Sequence, residues 1–110
     1  MIKIGNNLSE WSSYSCQPKT RSELIDIIYD RISKEGNNCD LNDIDTSMIT
    51  DMSYLFDESD FNGYISKWDV SNVTEMECIF LWSKFNGDIS KWNVSKVENM
   101  LGMFARSEFN

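Results

Sequence analysis

Histidine is absent from this 110-residue sequence, and with it go the commonest general base and the imidazole metal ligand. Ser-His-Asp and Cys-His nucleophile systems and imidazole zinc sites are therefore excluded. Basic residues are scarce, ten against eighteen acidic ones, for a formal charge of -8. That balance argues against direct nucleic-acid binding, which needs clustered Lys and Arg to neutralise phosphate. Three cysteines, Cys16, Cys39 and Cys78, are an odd number without paired spacing, so neither a disulfide framework nor a zinc site follows from them. No apolar run approaches a membrane span, and Met1 to Asn7 lacks the apolar core of a signal peptide. A cytoplasmic location is the expectation, and a surface one if the chain is a fragment or a matured form. The five glycines are isolated, with no phosphate-cradling loop among them.

The chain is nevertheless 41% hydrophobic and 13% aromatic, which is the composition of a folding domain. Its organisation appears when the sequence is laid on itself. Residues 61–84 (FNGYISKWDVSNVTEMECIFLWSK) and 85–108 (FNGDISKWNVSKVENMLGMFARSE) are identical at thirteen of twenty-four positions. Residues 37–60 fit the same frame loosely, with Leu41, Ile44, Ile49, Met52 and Phe56 in register, and Phe109 and Asn110 open a fourth unit.

Within each unit Ile65, Trp68 and Val70 predict a short inward strand, and the steps Val73, Met76, Phe80 predict a helical stripe. Ser47, Ser71 and Ser95 stand where helix N-caps belong, and the Asn-Gly of 62–63 and 86–87 predicts a turn with positive φ. Met52/Met76/Met100, Phe56/Phe80/Phe104 and Trp68/Trp92 should form stacked core columns. Upstream, Thr20 to Glu23 is a capping box, and Leu24, Ile27, Ile28 and Ile32 predict one amphipathic helix over about 21–35, stopped by Gly36. That helix should cap the first repeat, while Ile2 and Ile4 alternate as an edge strand and Trp11 and Tyr14 pack nearby. The expected fold class is thus an α/β-type short solenoid of strand-turn-helix units, with residues 1–36 as N-terminal segment and cap and 37–110 as three repeats. No cap follows Phe104, which leaves an open edge for a homo-oligomer, a partner or a longer array.

The motif Phe-Asn-Gly-x-Ile-Ser-x-Trp-x-Val-Ser-x-Val-x-x-Met-x-x-x-Phe resembles that of BspA-like leucine-rich-repeat proteins over residues 37–110. The resemblance implies a leucine-rich-repeat-like solenoid and protein or host-surface binding, with no catalytic residue to carry over.

Candidate function lies where the repeats differ. Leu81 and Trp82 place two large apolar groups in columns held elsewhere by Asp57 and Glu58 or by Ala105 and Arg106. Tyr64, aligned with Asp40 and Asp88, is a third candidate. No basic residue falls between Lys34 and Lys67, so Asp45, Asp51, Asp57, Glu58 and Asp60 form an acidic rim to that apolar patch. The expectation is a non-enzymatic module holding a protein partner with a basic surface, without catalytic residue, cofactor or metal. Two rivals stand beside it: a small acidic inhibitor that mimics nucleic acid, and a bacterial surface repeat protein.

Overall fold

The capping box starts a helix where its chemistry requires. In the computed structural model, which describes residues 14–109, α1 spans Arg21–Glu35. Thr20 Oγ1 accepts from the Glu23 N–H at 3.1 Å, and Glu23 reaches back to the Lys19 N–H at 2.7 Å. Gly36, at φ 93°, ends the helix with its N–H on the Ile32 carbonyl. Leu24 and Ile28 are buried, with Ile25, Ile27 and Ile32 packed beside them, so the expected apolar face is the one that closes over the first repeat. The alternation at Ile2 and Ile4 and the packing of Trp11 lie outside the described residues; Tyr14 is exposed.

The repeats are not strand-turn-helix units. Among the described residues α1 is the one helix, and strand pairing is reduced to isolated parallel bridges: Cys16 with Ile44, Asp40 with Tyr64, Asp51 with Glu75 and Glu75 with Asn99. The α/β solenoid, and the leucine-rich-repeat sheet with it, is thereby corrected. What forms instead is a stack of three coils (37–60, 61–84 and 85–108) built from turns.

Successive β-turns account for the three-residue steps that suggested a helix. In the second coil the N–H groups of Trp68, Val73, Ile79, Leu81 and Ser83 each donate three residues back, to Ile65, Val70, Met76, Cys78 and Phe80. Tyr54, Glu58, Cys78, Trp82 and Arg106 have φ between 54° and 58°, and Gly102 joins them at 64°. Two such residues in each coil, 24 apart from coil to coil, forbid a continuous helix. The left-handed region costs a non-glycine residue about 1–2 kcal/mol, so the stack must offset it.

It does so through the alternate amides. The N–H groups of Met52, Tyr54, Phe56 and Glu58 donate to the carbonyls of Glu75, Glu77, Ile79 and Leu81 at 2.8–3.1 Å. The same four positions of the second coil, Met76, Cys78, Phe80 and Trp82, donate to Asn99, Leu101, Met103 and Ala105 at 2.9–3.0 Å. Every second amide thus closes a turn and every other one joins coils, leaving few buried groups without partners.

The expected N-cap serines start no helix and have another role. Ser47, Ser71 and Ser95 donate their backbone N–H to the side chains of Asp45, Asp69 and Asn93 at 3.0–3.1 Å. These are Asx turns, in which a short polar side chain replaces a backbone acceptor. Ser59, Ser83 and Ser107 do the same for Phe61, Phe85 and Phe109. Gly63 and Gly87 do not adopt the expected positive φ. They are small because coils approach closely there: a Cβ on Gly63 would lie 1.9 Å from the Cys39 carbonyl oxygen.

Inside, the expected aromatic columns form, whereas the methionine column is buried at Met52 and Met76 and exposed at Met100. Phe56, Phe80 and Phe104 stack at 5.8 and 5.4 Å with interplanar angles of 4° and 6°. Beside them Phe61, Phe85 and Phe109 stack at 6.1 Å per step. Trp68 and Trp92 each bury the indole and donate Nε1–H to the preceding coil, at Leu41 and Ile65.

Candidate functional site

The face that distinguishes one coil from the next runs along the left-handed positions. Because Trp82 has φ 56°, its side chain leaves the stack outward and is 54% exposed, although its own N–H is held by the Ala105 carbonyl. The guanidinium of Arg106, one coil on, lies 5.2 Å from the indole centroid. That cation–π contact holds the ring in place on the surface. Tyr54 is 44% exposed in the neighbouring left-handed column, above Cys78 and Gly102. Met100 and Leu101, 42% and 77% exposed, extend the apolar surface onto the third coil.

The residues expected at the site are only partly brought together. Leu81 and Trp82 stack against Asp57 and Glu58, since the Glu58 N–H donates to the Leu81 carbonyl at 2.8 Å. Asp60 follows in an exposed column beside Lys84, which pairs with Glu108 at 3.2 Å. Tyr64, 61% exposed, belongs to a different turn, bridged to Asp40.

Three of the carboxylates are not available as a rim. Asp45 accepts from the Ser47 N–H and from Gln17 Nε2, and Asp51 accepts both the N–H and the hydroxyl of Ser53. Asp57 is half-buried, and its Oδ1 is enclosed without a partner. The free acidic groups beside Trp82 reduce to Glu58 and Asp60. Arg106 was missed as a site residue although its alignment with Trp82 was readable, because a repeat column by itself does not say that two side chains touch.

A second feature sits at the opposite end. An open cleft of about 480 Å³ is lined by Tyr14, Arg31, Glu35, Asp40, Asn42, Asp43 and Lys67. Arg31 donates to Glu35 and Asp43 at 3.0 Å each and to the Asp40 carbonyl at 2.8 Å. Its charge is therefore shared between α1 and the first coil, which makes it a strut for the cap. Among the described residues no group of three potential metal ligands converges, and no helix is long and apolar enough to cross a membrane. The three cysteines are unpaired.

Two carboxylates at this end carry a pH dependence. Burial pushes the Asp43 carboxyl up, but the Ser15 hydroxyl and Arg31 outweigh it and hold it below the usual range. Asp45 is likewise raised by burial and lowered further by Ser47 and Gln17. A carboxyl depressed in the fold adds stability above its unfolded value, about 3.9, and loses it as pH falls through the folded one. The melting temperature should therefore fall steadily below about pH 4, and Asp43→Asn should flatten that slope. Identical slopes for the two proteins would show that Asp43 contributes nothing to it.

Residues 26–110 match the family model described as Mycoplasma protein of unknown function, DUF285, and the chain belongs to that family. No curated protein and no solved structure matches it. The likeness to BspA-like repeats rests on the repeat motif alone.

Proposed function

We propose that this chain is a protein-binding repeat module that anchors its partner on Trp82. One observation carries the reading: a large aromatic ring is held outward in a left-handed backbone conformation, with its amide bonded to the next coil and its face under Arg106. A side chain already ordered loses little entropy on binding, and Trp and Arg are the favoured anchors of protein interfaces. Glu58 and Asp60 beside it suit a partner that sets a cationic group next to an apolar pocket.

Trp82→Ala should weaken partner binding by about 2 kcal/mol or more, roughly thirtyfold. The left-handed backbone and its hydrogen bond remain in that variant. Tyr29→Ala, on the exposed face of α1, should leave binding unchanged. A partner captured from lysate and titrated against all three proteins tests this, and equal affinities would reject the anchor. Raising salt separates the nucleic-acid-mimic reading. A charge mimic loses affinity steeply with ionic strength, and an anchored ring does not.

A further inference from the structure

Residues 58, 82 and 106 occupy one position of the repeat, and the sequence places a glutamate, a tryptophan and an arginine there. All three have φ 56°, so the three side chains leave the stack from the same turn. The backbone fixes their order. The Glu58 N–H donates to the Leu81 carbonyl at 2.8 Å and the Trp82 N–H to the Ala105 carbonyl at 3.0 Å, which sets the indole between the glutamate of one coil and the arginine of another. Phe56 and Phe80, two residues earlier, give the size of the step, with their rings 5.8 Å apart.

The two faces of that ring are not equivalent. Arg106 lies over one, 5.2 Å from the centroid, because the face of an indole attracts a cation. The other is turned toward the level of Glu58. A carboxylate gains nothing from the negative face of a ring, and Trp82 is 54% exposed even with Arg106 in place, so the second face is open. Glu58 is itself exposed, and among the described residues its side chain has no hydrogen bond or ion pair. Lys84, two residues after Trp82, is taken by Glu108 at 3.2 Å.

We propose that the indole face opposite Arg106 and the carboxylate of Glu58 together take an arginine side chain of the partner. The chemistry is that of the contact Arg106 already makes, with a counter-charge added. A guanidinium is flat, so it can lie on the ring and still donate from its edge to a carboxylate beside it. An ammonium is a compact point charge that cannot stack in this way. The field of the chain favours a cation as well, at a formal charge of -8, and Arg106 is on the far side of the ring. The site lies on the flank of the stack, between two coils, and not at either end. This inference rests on the protein-binding reading and names the group that the partner inserts.

NMR of the Trp82 indole N–H, assigned by its loss in Trp82→Phe, tests it on the whole chain at constant ionic strength, with acetyl-Gly-Gly-Arg-Gly-Gly-amide as probe. The signal should shift saturably, with half-saturation on the order of 10 mM, the range of one cation–π contact and one exposed ion pair. Glu58→Gln should weaken the probe by about three- to fivefold, and Asp26→Asn, which removes the same charge at an exposed position of α1, should not. A peptide with lysine in place of arginine should bind about threefold more weakly or worse, and one with citrulline, which keeps the shape without the charge, should not bind. No saturable shift up to roughly 100 mM overturns the proposal, as does an equal shift with citrulline or one that Glu58→Gln leaves unchanged. Equal affinity for the lysine peptide overturns the assignment to arginine. A shift that grows with chain concentration and needs no peptide also overturns it, in favour of a second copy on that face. If Trp82→Ala still weakens the lysate partner after any of those outcomes, this inference alone falls; if Trp82→Ala has no effect either, the protein-binding reading falls with it.

Discussion

Replacing Phe80 by alanine is expected to cost about 4 kcal/mol of folding stability, near the top of the range for large-to-small core changes. Phe80 is fully buried, and its ring stacks on Phe56, Phe85, Trp92, Phe104 and Phe109 at 4.8 to 6.4 Å. It belongs to the middle coil, with a coil on each side, so neither neighbour can close the gap without opening its own contacts. Aromatic pairs also contribute about 0.5–1.5 kcal/mol beyond their burial. Domains of this size are stable by only about 5–15 kcal/mol, so a large part of the total depends on one ring. Phe104→Ala provides the comparison: that ring is 36% exposed at the open end, and its loss should cost less than half as much. Denaturant unfolding of both variants gives the two numbers, and equal losses would mean that the ladder is not the organising core.

Gly63→Ala should be nearly as severe, at about 3 kcal/mol, the upper part of the usual overpacking range. The new methyl would lie 1.9 Å from the Cys39 carbonyl oxygen, and that oxygen also accepts the Tyr64 N–H at 3.0 Å. The nearest obstacle is backbone and the next is the fully buried Phe61 ring, at 2.7 and 2.9 Å, so nothing there can swing aside into solvent. The first two coils must separate, and the Leu41 to Tyr64 hydrogen bond is strained with them. Gly87 has the same place in the next coil, but its nearest backbone contact is the Gly63 carbonyl at 3.3 Å, and its closest atoms belong to the Phe85 ring. Gly87→Ala should therefore be milder. Melting temperatures of the two variants decide the matter, and a Gly63→Ala protein as stable as Gly87→Ala would show that the coils are not held this closely.

Much of this architecture was readable beforehand, and the misreadings have common causes. Met52, Phe56, Phe61 and their successors mark the period because each must meet its own kind in the next coil. Thr20, Glu23 and Gly36 mark α1 because capping is local chemistry. Val73, Met76 and Phe80 misled because consecutive β-turns step by three residues, much as a helix does. Ser71 misled because an Asp-x-Ser turn and a helix N-cap use the same residue types to satisfy a backbone N–H. On the candidate face, the outward position of Trp82 was legible as a break in its column. The engagement of Asp45 and Asp51 was not, since a carboxylate bound to the backbone two residues on looks in sequence like any other surface acid.

The amino-acid sequence alone determined the repeat, its register, the helix that covers the front, and which rings stand in line. Those properties follow from side-chain identity and spacing, which are local. Only the tertiary structure decided what the backbone does between those rings. A tyrosine, a glutamate, a cysteine, a tryptophan and an arginine adopt left-handed φ values that each disfavours by itself. In the first two coils they do so because an amide turned that way finds a carbonyl in the next one.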